Sequence, residues 1–96
     1  MNMIKIYAER TVKPENIEAY KKLGLQLVKA SQAEEGCISY TLNQCLEDPC
    51  VFAFIETWKD RDAINYHNAT EHFTTLVPQM GVLCSEKAPV KHFTEV

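Results

Sequence analysis

The stretch Cys50-Val-Phe-Ala-Phe-Ile-Glu-Thr-Trp58 constrains the fold most, because it alternates like a β-strand and yet is largely apolar on both faces. Side chains two apart share a face, so Phe52, Phe54, Glu56 and Trp58 line one side and Val51, Ala53, Ile55 and Thr57 the other. A strand of this kind needs cover on both sides, from helices or from another sheet. Glu56 is the exception in its row. A carboxylate among apolar side chains costs several kcal/mol unless it is hydrogen-bonded or its pKa rises, and either outcome makes it a candidate acid or base. A Glu bonded to a neighbour purely for structure fits the same pattern.

The rest of the chain supplies the cover. Ile4, Ile6, Ala8 and Val12 alternate with polar residues and predict a first strand from Met3 to Val12. Lys13-Pro14-Glu15-Asn16 breaks it and opens a helix, since proline is tolerated in a first turn. Ile17, Tyr20, Gly24, Leu27 and Ser31 form the buried stripe of that helix, which stops at Glu34-Glu35-Gly36. Gly24 in mid-helix costs about 1 kcal/mol relative to Ala and points to close packing there. Cys37 to Gln44 predicts a second strand, with Ile38, Tyr40 and Leu42 on one face. The turn Leu46-Glu47-Asp48-Pro49 then joins it to the third as a hairpin. A helical region runs from Asp60 to about Leu83, kinked at Pro78, and Ala88 to Thr94 predicts a fourth strand.

Strand, helix, strand, strand, helix, strand is the ferredoxin-like βαββαβ order of an α+β fold, with both helices on one face of an antiparallel sheet. A second copy is the simplest cover for the other face, so a homodimer is expected. The 96 residues, 46% of them hydrophobic, make a single domain spanning residues 1–96. A net charge of −3, with acidic and basic residues mixed, offers no basic face for nucleic acid. Neither a signal peptide nor a membrane span is visible, and the expected location is cytoplasmic. Cys37, Cys45, Cys50 and Cys84 match no zinc spacing and are expected as free thiols.

The chemistry-bearing residues gather where the third strand hands over to the helical region. Asp60 offers an N-cap, and Ala63, Ile64 and His67 then share one apolar face, which points His67 inward. A histidine so placed is more often a satisfied core residue than a catalyst. Thr70 can cap a second helical segment carrying Phe73, Leu76, Val77 and Met80, which puts His72 in its first turn. The helix dipole there favours a neutral ring, and free backbone N–H groups can hold an oxyanion.

Taken in order, these residues resemble the antibiotic biosynthesis monooxygenase family over essentially the whole chain: Val12-Lys13-Pro14, Glu35-Gly36-Cys37-Ile38-Ser39-Tyr40, Glu56-Thr57-Trp58, and Ala63, His67, His72 and Phe73. The resemblance implies a small dimeric α+β barrel. It also implies oxidation of quinols or polyketide-type phenols by O₂ without metal, flavin or haem, the substrate anion itself passing an electron to oxygen. Trp58 matches a tryptophan that some members place in the pocket, and Glu56, His67 and His72 match recurrent positions. The first-strand Asn of haem-degrading relatives is missing near Tyr7. The full Asn, Tyr and Arg set of the polyketide oxygenase is not present, Phe54, Ile64 and Pro78 falling near those positions by spacing, so that enzyme's particular substrate is unsupported. The expected site therefore has His67, His72 and Glu56 for acid/base work and Trp58, Phe52, Phe54 and Phe73 as walls around a small aromatic substrate.

Two alternatives remain open at this point. Lys59-Asp60, Asp62-Ala63, His67, Thr70 and His72 also resemble relatives that isomerise a phosphorylated quorum-signal sugar. Such an enzyme acting on a sugar-derived substrate would need a phosphate contact from Lys21, Lys22 or Arg10. The other alternative is a non-enzymatic dimer that binds small apolar ligands.

Overall fold

The computed structural model describes residues 2–96. In chain order it contains β1 (Ile4–Val12), a single 3-10 turn (Pro14–Asn16), α1 (Ile17–Gln32), β2 (Cys37–Gln44), β3 (Val51–Trp58), α2 (Arg61–Asn68), α3 (Glu71–Gly81), β4 (Cys84–Lys87) and β5 (Lys91–Thr94). The sheet order is β2-β3-β1-β4, with β5 also paired to β1, and all pairings are antiparallel. This is the ferredoxin-like arrangement read from the sequence.

The register explains the core. Ile6 stands opposite Glu56 and Ala8 opposite Phe54, while Tyr40 flanks Glu56 from β2. These side chains, with Phe52 and Trp58, are buried against Tyr20 and Leu27 of α1, Ile64 of α2 and Met80 of α3. Gly24 earns its place by contact: a Cβ there would sit 2.6 Å from Leu42 Cδ2 and 3.4 Å from Met80 Cε. On the opposite face Ile55 is 49% exposed, beside Tyr7 and Thr41, so the apolar side of β3 away from the helices is open in the single chain.

Two expectations are corrected. The last strand is not one run from Ala88 to Thr94 but two short strands along one edge of β1, Cys84–Lys87 at its Arg10–Val12 end and Lys91–Thr94 at its Ile4–Tyr7 end. Pro89 falls between them and has no N–H for a ladder. Ile38 does not share the inner face with Tyr40 and Leu42. A register shift between Cys37 and Ser39 leaves it outside the pairing and 52% exposed, as an extra residue in one strand does. Pro78 lies within α3 without ending it. No helix among the described residues is long and apolar enough to cross a membrane.

Candidate active site

Both helix starts follow the caps anticipated. Asp60 Oδ1 accepts from Ala63 N at 2.9 Å and Thr70 Oγ1 from Phe73 N at 3.2 Å, which satisfies donors that a helix start otherwise leaves unpaired. The two caps fix α2 and α3 so that His67, in the last turn of α2, and His72, in the first turn of α3, approach each other with ring centroids 6.0 Å apart.

Between the sheet and the helices lies a cavity of about 310 Å³. Phe54, Glu56, His67 and Phe73 line it, together with Ile6, Tyr20, Tyr40 and Val77. Its volume is at the low end of the range for small-molecule sites, and its walls are mostly apolar with a few convergent polar groups. Glu56 is 7% exposed, and its Oε1 accepts from Trp58 Nε1 at 2.8 Å. Burial pushes its carboxyl up to about 7, the indole hydrogen bond opposes the rise and the charge of Glu34 adds to it.

His67 is 2% exposed and wedged among aromatic rings, with Trp58 at 4.5 Å, Phe73 at 5.0 Å and Tyr40 at 5.4 Å between centroids. Burial lowers its pKa, against the opposing pull of Glu34. Nδ1 faces Glu34 Oε2 at 2.7 Å. Nε2, the ring nitrogen turned away from Glu34, has no hydrogen-bond partner among the described residues, and His67 lines the cavity.

Not every expected residue reaches this chamber. Phe52 and Trp58 are buried behind its wall rather than in it. His72 lines a separate, open acidic groove with Glu34, Glu35, Asp60, Asp62 and Glu71. Of the cations considered for a phosphate, Arg10 lines the cavity and Lys21 and Lys22 do not. The sequence reading missed Glu34, whose Oε2 lies 2.7 Å from both His67 Nδ1 and His72 Nε2. The cadence of buried positions 20, 24, 27 and 31 in α1 reaches 34 at its next step, and that was the available signal. Among the described residues, Glu34, His67 and His72 also bring donor atoms within 4.8 Å of one another, a grouping that could hold a metal ion. Hydrogen bonding already accounts for the two short contacts. The four cysteines are free thiols.

A model of the antibiotic biosynthesis monooxygenase family matches residues 3–79. The chain belongs to that family. A Bacillus subtilis (strain 168) relative named "Putative monooxygenase YcnE" is 39% identical over 83 residues, covering 86% of this chain and 87% of the relative. A conserved protein from Methanosarcina mazei Go1 has the same fold, with a TM-score of 0.96 at 28% identity over 100% of this chain and 95% of that one. A crystal structure described as an antibiotic biosynthesis monooxygenase gives 0.86 at 35% identity, covering 97% and 96% of the two chains. Family membership thus agrees with the resemblance read from the sequence and supports a monooxygenase-like activity at the level of the family.

Proposed function

We propose that this protein is a cofactor-independent monooxygenase that converts a small quinol-type aromatic and O₂ to a hydroxyquinone and water. The carrying observation is an apolar cavity whose wall holds the His67 imidazole, its Nε2 unpaired among the described residues, and a buried carboxyl with a pKa near neutrality, Glu56. The substrate ring lies between Phe54 and Phe73, with Phe52 and Trp58 as rigid backing. His67 Nε2 takes the hydroxyl proton, and the electron pair stays on oxygen as a quinolate. The quinolate passes one electron to O₂, the two radicals join at a ring carbon, and the resulting peroxide takes back the proton held by His67. The proton on that ring carbon then leaves to His67, its bonding pair forms the new carbonyl, and the O–O bond breaks as water leaves. Glu56 holds a proton near neutral pH and delivers it to the departing oxygen.

The functional unit is a homodimer of single 96-residue domains, the second copy covering the face that bears Ile55. His72 contributes from behind Glu34 rather than by touching substrate. Oxygen uptake with a panel of naphthoquinols tests the reading. His67→Ala is expected to lower turnover by about 10²- to 10⁴-fold while binding is retained. A wild type that consumes no oxygen with any of the panel, or a fully active His67→Ala, refutes it.

A further inference from the structure

We infer that Glu34 is the positioning residue of the cavity's base: by accepting from His67 Nδ1 and from His72 Nε2 at the same oxygen, it fixes opposite tautomers on the two rings and leaves His67 Nε2 bare toward the cavity. The inference rests on the proposed activity for its catalytic meaning, but its structural content stands without it.

The geometry carries the argument. The Glu34 side chain is 6% exposed and lies just past the last turn of α1, where the end of α2 and the start of α3 meet it. Both contacts are 2.7 Å, within the range of charge-assisted bonds. An ionised carboxylate has only lone pairs to offer, so both nitrogens facing it must carry protons. His67 is then protonated at Nδ1 and His72 at Nε2. The other oxygen, Oε1, is buried with no partner among the described residues. A carboxylate kept only for packing would be expected to satisfy both oxygens, since a buried unmade hydrogen bond costs about 1–3 kcal/mol. Concentrating both imidazole protons on Oε2 secures the rings instead of the carboxylate.

The consequence for proton transfer follows. When a substrate O–H bond breaks and an N–H bond forms at His67 Nε2, the ring becomes an imidazolium. Its Nδ1–H already points at a negative oxygen. His72, 23% exposed at the groove, holds that oxygen from the other side and keeps it aimed. The arrangement has the logic of a carboxylate that orients a catalytic histidine and sets its tautomer.

Ring-nitrogen NMR on ¹⁵N-labelled protein tests the inference without reference to turnover. Wild type is expected to show His67 protonated at Nδ1 and bare at Nε2, with the reverse for His72. Glu34→Ala is expected to return both rings to a tautomer mixture. Glu34→Gln keeps an oxygen that can accept both protons but removes the charge, so it should preserve the tautomers. In the oxygen-uptake assay it should lower kcat by on the order of 10²-fold with KM little changed. His67 protonated at Nε2 in wild type, tautomers unmoved in Glu34→Ala, or one zinc ion per chain displacing both ring protons would each overturn the assignment. An inactive wild type with the expected tautomers would refute the proposed reaction alone.

Discussion

Replacing Glu56 by Gln should stabilise the protein, and increasingly so as pH rises. The folded carboxyl has a pKa of about 7 against an ordinary value of 4.5, with burial as the chief cause. Between those values the native state keeps a proton that the unfolded chain has released, so this group's contribution to stability falls as pH rises through the window. Below it both states are protonated and the difference vanishes. Above it the full cost of a buried charge is present. At 1.36 kcal/mol per pKa unit, a rise from 4.5 to about 7 corresponds to a ceiling of about 3 kcal/mol. Gln is neutral throughout and nearly isosteric, and its side-chain oxygen can still accept from Trp58 Nε1. Glu56→Gln is therefore expected to match wild type near pH 4.5 and to exceed it by up to about 3 kcal/mol at pH 8.5, a rise in Tm on the order of 10 °C for a domain of this size. His67, whose pKa burial lowers, tilts stability the other way, its contribution being lost as pH falls below its ordinary 6.5. That effect is common to both proteins and cancels in the comparison. Thermal unfolding of the pair from pH 4.5 to 8.5 is the assay. A Tm difference independent of pH, or a variant less stable than wild type at pH 8.5, would show that Glu56 is solvated and ionised like any surface carboxylate.

Gly36→Ala should lose roughly 1–3 kcal/mol in urea unfolding, because the new Cβ would run into Ala63 Cβ with Ala63 Cα only 3.4 Å away, and the α2 backbone cannot yield as a flexible side chain would; an unchanged midpoint refutes this. Light scattering at micromolar concentration should give about twice the chain mass of 11.0 kDa, and Ile55→Lys should shift it toward the single mass. A monomeric wild type would leave the open sheet face without its proposed cover.

The elements with a buried face were legible in the chain, and those held by edge pairing were not. The rows 52, 54, 56, 58 and 17, 20, 24, 27, 31 carry their burial in their spacing, which is why β3 and α1 come out nearly as read. β4 and β5 are almost wholly exposed, and Ser85-Glu86-Lys87 has no apolar alternation to announce a strand. What pairs them is the free edge of β1, a long-range fact. Ile38 was misplaced by one inserted residue, since a period of two flips faces at a bulge. In the site, periodicity put Phe54 and Glu56 on one strand face and His67 and Phe73 on apolar helix faces, and the family resemblance gathered them into one expected chamber. Periodicity does not say where packing stops and empty space begins, so Phe52 and Trp58 shared the expectation and lie behind the wall. Glu34 was read as part of a polar helix stop, because a carboxylate beside Glu35 and Gly36 resembles a surface turn until two histidines from later in the chain close over it.

The two buried carboxyls at this end of the fold are driven to different roles by what surrounds them. Glu34 is met by two imidazole nitrogens at 2.7 Å, an environment that rewards negative charge and turns that charge into ring orientation. Glu56 is met by burial in the cavity wall and the charge of Glu34, which act against ionisation, and by an indole N–H and the charge of Arg10, which favour it; burial is the largest of these and decides the direction. In the proposed reaction Glu34 orients the rings, while His67 takes a proton and Glu56, whose pKa burial raises, gives one from the same cavity wall. Acid/base chemistry near neutrality needs this separation of two like groups by environment. The fold produces it cheaply, because Glu34 comes from a helix exit facing other helix ends and Glu56 from the middle of the most enclosed strand. Moving either carboxyl by one residue would exchange a buried partner for solvent and collapse the difference between them.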